Sequence, residues 1–244
     1  NPNIPTHVSS ISDGWSVYLN EARGLKKVWN YLYVTSYWDD ALQIIDVSNP
    51  NTPTAVWSIT DSSRLDWAHN ITLSGSYAYV TSTRWDSLQI IDISNPASPS
   101  FVWEITDWTW WALLNGAISV TVDGDYAYVA SSISDAIEII DISIPNTPTH
   151  VSSISHWWNV LLDAPIDIIK EWDFIYVTWL NSDSIEIIDV ANINTPKHIS
   201  NIATPNWDLT WAYWIVKNGD YIYVASFTSD ALEKIGRASC RERV

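Results

Sequence analysis

The chain reads Tyr126-Ala127-Tyr128-Val129-Ala130-Ser131, turns through Ser132-Ile133-Ser134-Asp135, and continues Ala136-Ile137-Glu138-Ile139-Ile140-Asp141 before reaching Pro145 and Pro148. Both runs are short and rich in β-branched and aromatic residues, the composition that suits a pleated, packed surface. Outward from this core, Ala117 to Val122 precedes them across Asp123-Gly124-Asp125, and Thr149 to Ile154 follows the prolines. The four segments predict strands a (117–122), b (126–131), c (137–142) and d (149–154). Strand c is nearly continuously apolar, as fits a strand covered on both faces. The prolines donate no backbone N–H and so belong between strands.

The unit recurs along the chain. Its b motif comes back around Val34, Val80, Val129, Val177 and Val224, spaced 46, 49, 48 and 47 residues apart. Its c motif comes back as Leu42 to Asp46, Leu88 to Asp92, Ile137 to Asp141 and Ile185 to Asp189. Pro5 to Ser12 is identical to Pro148 to Ser155, so the sequence opens on a d segment. No stretch sustains a helical period. The pattern predicts an all-β fold, a β-propeller of four-stranded antiparallel blades with five blades visible. Four blades are complete. The fifth combines strands a to c from Lys217 to Lys234 with the N-terminal segment Pro5 to Ser12, which closes the ring and removes an exposed edge. We assign residues 1–234 to the propeller, as a fragment of a longer protein, and 235–244 to a non-native tail that resembles the translation of a sequencing adapter.

Composition narrows the function classes. With 47% hydrophobic and 16% charged residues the chain is globular rather than disordered. No apolar run approaches the roughly 18 residues of a membrane-spanning helix, so membrane insertion of this segment is not expected. Twelve basic against 28 acidic residues give a net charge of −16, which repels phosphate backbones and disfavours nucleic acid. A single Cys offers neither an internal disulfide nor a zinc cluster.

The run Tyr126-Ala-Tyr-Val-Ala130, followed by Ile139-Ile-Asp-Ile-Ser143 and a Pro-x-x-Pro turn, resembles the LVIVD repeat over about residues 5 to 234. That resemblance implies a propeller on a bacterial or archaeal surface protein. It supplies no catalytic residue to carry over.

Seventeen Trp against seven Gly is an inverted composition. Trp29, Gly75, Gly124, Trp172 and Gly219 occupy one repeat position in the a-to-b hairpin, where a tight turn favours positive φ and a bulky side chain resists it. The swap is accounted for if the source reads UGA as glycine and those codons have been rendered as tryptophan.

Candidate chemistry is sparse. Asp46, Asp92, Asp141 and Asp189 end strand c and are expected to cap the turns that follow. Asp40, Asp86, Asp135, Asp183 and Asp230 recur in the b-to-c turn and are read as turn caps too. His7, His150 and His198 share one strand-d position, while His69 and His156 stand alone. No catalytic elbow, metal pair or phosphate loop is present, so we expect no catalytic residue, no metal and no cofactor. The variable d-to-a loops share a rim with the b-to-c turns, and recognition usually resides on such loops. The expected ligand-binding rim is Asp66, Asp107, Trp110, Trp111, Trp157, Trp158, Asp163 and Asp208. The expected function is a non-enzymatic binding or scaffold module of an exported protein, extracellular or on the cell surface, engaging a protein or glycan ligand. Two alternatives are a carbohydrate-binding propeller with Trp platforms and a propeller hydrolase or lyase. The latter needs an acid, a base and ligand groups converging in the central funnel, and no such set is legible in the sequence.

Overall fold

The a, b and c motifs each become strands because their branched and aromatic side chains pack on both sides of a thin blade. The computed structural model describes residues 6–107, 109, 111–155, 162–181, 184–203, 209 and 211–236. Blade 1 comprises β1 (Ala22–Val28), β2 (Tyr31–Ser36), β3 (Ala41–Asp46) and β4 (Thr54–Thr60). Blade 2 comprises β5 (Ala68–Ser74), β6 (Tyr77–Ser82), β7 (Ser87–Asp92) and β8 (Ser100–Thr106). Blade 3 comprises β9 (Ala117–Asp123), β10 (Tyr126–Ser131), β11 (Ala136–Asp141) and β12 (Thr149–Ser155). Blade 4 comprises β13 (Pro165–Glu171), β14 (Phe174–Trp179), β15 (Ser184–Asp189) and β16 (Lys197–Ala203), and blade 5 comprises β17 (Ala212–Asn218), β18 (Tyr221–Ser226) and β19 (Ala231–Gly236). Each blade is an antiparallel meander in chain order, and the first strands of successive blades lie side by side, giving a five-bladed β-propeller. Among the described residues there is no helix, and therefore none long enough to cross a membrane.

The core lies between blades rather than within them. Leu42 and Ile44 of blade 1 pack with Ala68, Ile71 and Val80 of blade 2. Leu88 and Ile90 of blade 2 pack with Val120 and Val129 of blade 3, and Ile137 and Ile139 with Ile166, Ile168 and Val177 of blade 4. Ile185 of blade 4 closes on Ile215 and Val224 of blade 5. The third strand of each of these donor blades is sandwiched, which explains its unbroken apolar run. Every c-to-d pairing carries a bulge at one point, after Ile44, Ile90, Ile139 and Ile187.

Polar groups reinforce the same seams. The carboxylates ending strand c accept N–H bonds two residues on, Asp46 from Ser48, Asp92 from Ser94, Asp141 from Ser143 and Asp189 from Ala191. The b-to-c aspartates do something different from the turn capping expected of them. Asp40, Asp86 and Asp135 accept N–H groups of the next blade's entry loop, from Trp67 at 3.0 Å, Gly116 at 2.8 Å and Ala164 at 2.9 Å. Asp183 lies outside the described residues. Partly buried charge-assisted bonds of this kind are stronger than neutral ones, so these carboxylates fasten one blade to the next.

The N-terminal closure is not seen. Blade 5 has three strands, and residues 6–12 form none; Ser9 Oγ instead donates to the Pro50 carbonyl on blade 1 at 2.6 Å. β19 also runs to Gly236, two residues beyond the expected propeller boundary, with Gly236 paired to Tyr221.

The tryptophan position in the a-to-b hairpin is left-handed in every blade: φ is 51° at Trp29 and 52° at Trp172, against 56°, 57° and 59° at Gly75, Gly124 and Gly219. The same holds for Trp67 and Trp211, at 59° and 55°, where blade 3 has Gly116 at 72°. Trp29 and Trp172 are 85% and 75% exposed, so no burial offsets the strain. Trp179, fully buried, occupies the place of Ser36, Ser82, Ser131 and Ser226, and its Nε1 has no hydrogen-bond partner. A side chain in the left-handed region costs about 1–2 kcal/mol, partly offset by the chain entropy that glycine loses. Trp29→Gly and Trp172→Gly should therefore each stabilise the fold by roughly 0.5–1 kcal/mol, read as an upward shift in the urea unfolding midpoint.

Candidate functional site

The second residue of the innermost strand is apolar in blades 3 and 4, Ile118 and Ile166, but polar or aromatic in the others: Arg23, His69 and Tyr213. Innermost strands line the propeller axis, so these three side chains approach one opening from three blades. The Arg23 guanidinium lies 3.5 Å from the Tyr213 hydroxyl, bringing blade 5 to blade 1.

The b-to-c turns and entry loops add to this opening. Tyr37 stacks on Trp67 with centroids 5.1 Å apart and 23° between planes, and His69 meets Tyr37 edge-on at 6.2 Å. Trp38 closes edge-on against both rings, at 5.0 and 6.1 Å. Arg23 sits 4.7 Å over the Tyr37 ring and Arg84 5.3 Å over Trp67, both within cation–π range. Each guanidinium keeps a carboxylate neighbour, Glu21 for Arg23 and Asp66, at 3.7 Å, for Arg84. Burial, helped by the Arg23 charge, holds the His69 imidazole down at about 4, so it is neutral at physiological pH. Its Nδ1 is buried without a hydrogen-bond partner. Two planar cations, two aromatic rings, a phenol and a neutral imidazole from blades 1, 2 and 5 are thus joined in one cluster of contacts, a convergence of the kind the sequence did not show.

Of the expected rim residues, Asp66 belongs to this cluster. Asp107 is occupied in its own loop, accepting N–H bonds from Leu114 at 2.8 Å and Asn115 at 2.9 Å, and Asp163 accepts from Asn181 Nδ2 at 2.9 Å. Trp111 is 90% exposed with φ of 71° and stacks on no ring among the described residues. Trp110, Trp157, Trp158 and Asp208 lie outside the described residues. Of the four described rim residues, Asp66, Asp107 and Asp163 each make separate contacts. Arg23, Tyr37, His69 and Tyr213 escaped sequence reading because each comes from a different strand or blade. The one signal was a polar residue second in strand a of three repeats.

Two buried pairs were also missed. Glu138 is bonded by His150 across blade 3 and accepts the Leu113 N–H at 3.1 Å, and His198 Nε2 lies 2.6 Å from Glu186 in blade 4. Both carboxyls are fully buried, and desolvation pushes each up to about 7. Blades 1 and 2 have neutral Gln43 and Gln89 at this position, the signal that these glutamates serve packing. Among the described residues no three His, Cys, Asp or Glu side chains gather as a metal set.

The sequence profile of the LVIVD repeat matches residues 22–61, 67–107 and 116–155, which are blades 1, 2 and 3 with their connecting loops. This is an LVIVD-repeat protein. No curated protein matches it. Solved propellers share its fold. A Lactobacillus plantarum protein is 14% identical with a TM-score of 0.73, over 86% of this chain and 64% of its own. A Bacteroides uniformis protein provisionally assigned as a 6-phosphogluconolactonase is 14% identical with a TM-score of 0.71, over 88% and 66%. The periplasmic gluconolactonase of Pseudomonas aeruginosa is 14% identical with a TM-score of 0.68, over 86% and 64%. The LVIVD chain thus spans 64% of the length of the first of these structures. At this identity the likeness concerns fold alone. It nevertheless corrects the expectation of a non-enzymatic module, because the fold is one on which enzymes occur.

The raised carboxyls give a signed pH dependence. A glutamate with a raised folded pKa stabilises most below its unfolded value of 4.5, and that contribution is lost as pH rises through about 7. Glu138→Gln removes the titration while keeping the side chain found in blades 1 and 2. Its Tm relative to the parent should therefore improve steadily from pH 5 to pH 8 in parallel melts.

Proposed function

We propose that the channel mouth binds a small carbohydrate-class ligand, a sugar acid or its lactone. The observation that carries this reading is the convergence of Arg23, His69 and Tyr213 from one strand position in three blades, beside the Tyr37–Trp67 stack. Aromatic faces take the apolar side of a sugar ring, and planar guanidiniums bind carboxylates and hydroxyls in paired bonds. The gluconolactonase among the fold neighbours acts, by its name, on this class of molecule, which supports the choice.

Calorimetric titration with gluconate is expected to show saturable binding, weakened at least about tenfold by Arg23→Ala, with unchanged circular dichroism. No saturation by millimolar ligand overturns the site.

A further inference from the structure

The third residue of the third strand is a buried polar side chain in blades 1, 2 and 3, namely Gln43, Gln89 and Glu138. In blade 1 Gln43 Oε1 accepts the Tyr18 N–H at 3.0 Å, and in blade 3 Glu138 Oε2 accepts the Leu113 N–H at 3.1 Å. Tyr18 and Leu113 hold one place in their entry loops, each just before a leucine and three residues ahead of the left-handed residue, Glu21 or Gly116. The blade 2 equivalent is Arg64, before Leu65 and the left-handed Trp67. Its N–H turns back to Asp61 Oδ1 at 3.1 Å instead. The loop is shorter there: Asp61 and Leu65 are four residues apart, Asp107 and Leu114 seven.

Gln89 is consequently left unmet. It is fully buried, and its Oε1 has no hydrogen-bond partner among the described residues. The amide orientation follows from its other contacts, since Nε2 donates to Ser87 Oγ and to the Glu104 carboxylate, both at 2.9 Å, and a reversed amide would set oxygen against that carboxylate. A buried acceptor without a donor is costly.

A cavity of about 480 Å³, within the range of small-molecule sites, is lined by Gln89 together with Arg64, Phe101, Val102 and Glu104. The Arg64 guanidinium lies 4.8 Å from the Phe101 ring centroid and forms no salt bridge among the described residues, unlike Arg23 and Arg84. The cavity thus combines an acceptor lacking its donor, a carboxylate bonded to the same amide, an unpaired cation and an apolar wall.

We infer that this cavity binds a free α-amino acid with an apolar side chain. The ammonium donates to Gln89 Oε1, replacing the loop N–H that serves blades 1 and 3, and its charge is met by Glu104. The α-carboxylate pairs with Arg64, and the side chain lies along Phe101 and Val102. A purely anionic ligand would face Glu104 and leave Gln89 unmet, and a purely cationic one would face Arg64. None of these residues belongs to the cluster around Arg23 and His69, so the two sites are separable.

Calorimetric titration of the intact chain with L-leucine and with L-phenylalanine is expected to saturate for at least one of them, with Kd of about 1 mM or below. Its N-acetyl form, which lacks the ammonium, and its decarboxylated amine, which lacks the carboxylate, should each bind at least about tenfold more weakly. Arg64 is exposed, so Arg64→Gln should keep the circular dichroism spectrum while weakening the amino acid at least about tenfold. Failure of both amino acids to saturate at about 10 mM overturns the proposal, as does binding that is indifferent to N-acetylation or to Arg64→Gln.

Discussion

Everything in this fold depends on burying both faces of a thin four-stranded blade. An isolated blade would leave Leu42, Ile44 and their repeats in water, and only a neighbour on each side removes that area. The demand fixes the composition of the third strand, the spacing of the repeats and the placement of the polar staples. Asp40, Asp86 and Asp135 sit where the b-to-c turn of one blade meets the entry loop of the next, so the hydrogen bonds follow the hydrophobic seam. A circle of stacked blades has one seam that chain order does not supply, and it is there that apolar residues remain uncovered.

The same stacking brings Arg23, His69 and Tyr213 to equivalent places in three blades. Innermost strands need little from their second residue in packing terms, and blades 3 and 4 fill it with isoleucine. Where blades 1, 2 and 5 place Arg23, His69 and Tyr213 instead, the scaffold holds three unlike groups around one axis without any local motif. The His69 imidazole is neutral because surrounding packing desolvates it, and the nearby Arg23 charge adds to the effect. A propeller can thus bring together side chains that no single repeat displays.

The tryptophans show local and global demands in conflict. Trp29 and Trp172 stand in left-handed turns with their rings in solvent, while three sister blades resolve the same turn with glycine. The turn geometry is imposed by the strands on either side, not by the residue at the corner, so it survives an unsuitable side chain at some cost in strain.

Blade number, strand order and the sandwiched third strand were readable from Tyr-x-Tyr-Val and Ile-Ile-Asp alone, because a period of two and a repeat length are properties of the linear chain. The Asx turns after Asp46 and its repeats were readable as well, since donor and acceptor are two residues apart. The inter-blade role of Asp86 was not, because its partner Gly116 is thirty residues away in another blade. Nor was the clustering of Arg23 with Tyr213, which are 190 residues apart and meet only when the blades turn through a circle. Neighbours in sequence set the strands and turns; neighbours across the axis exist only once the ring has been assembled.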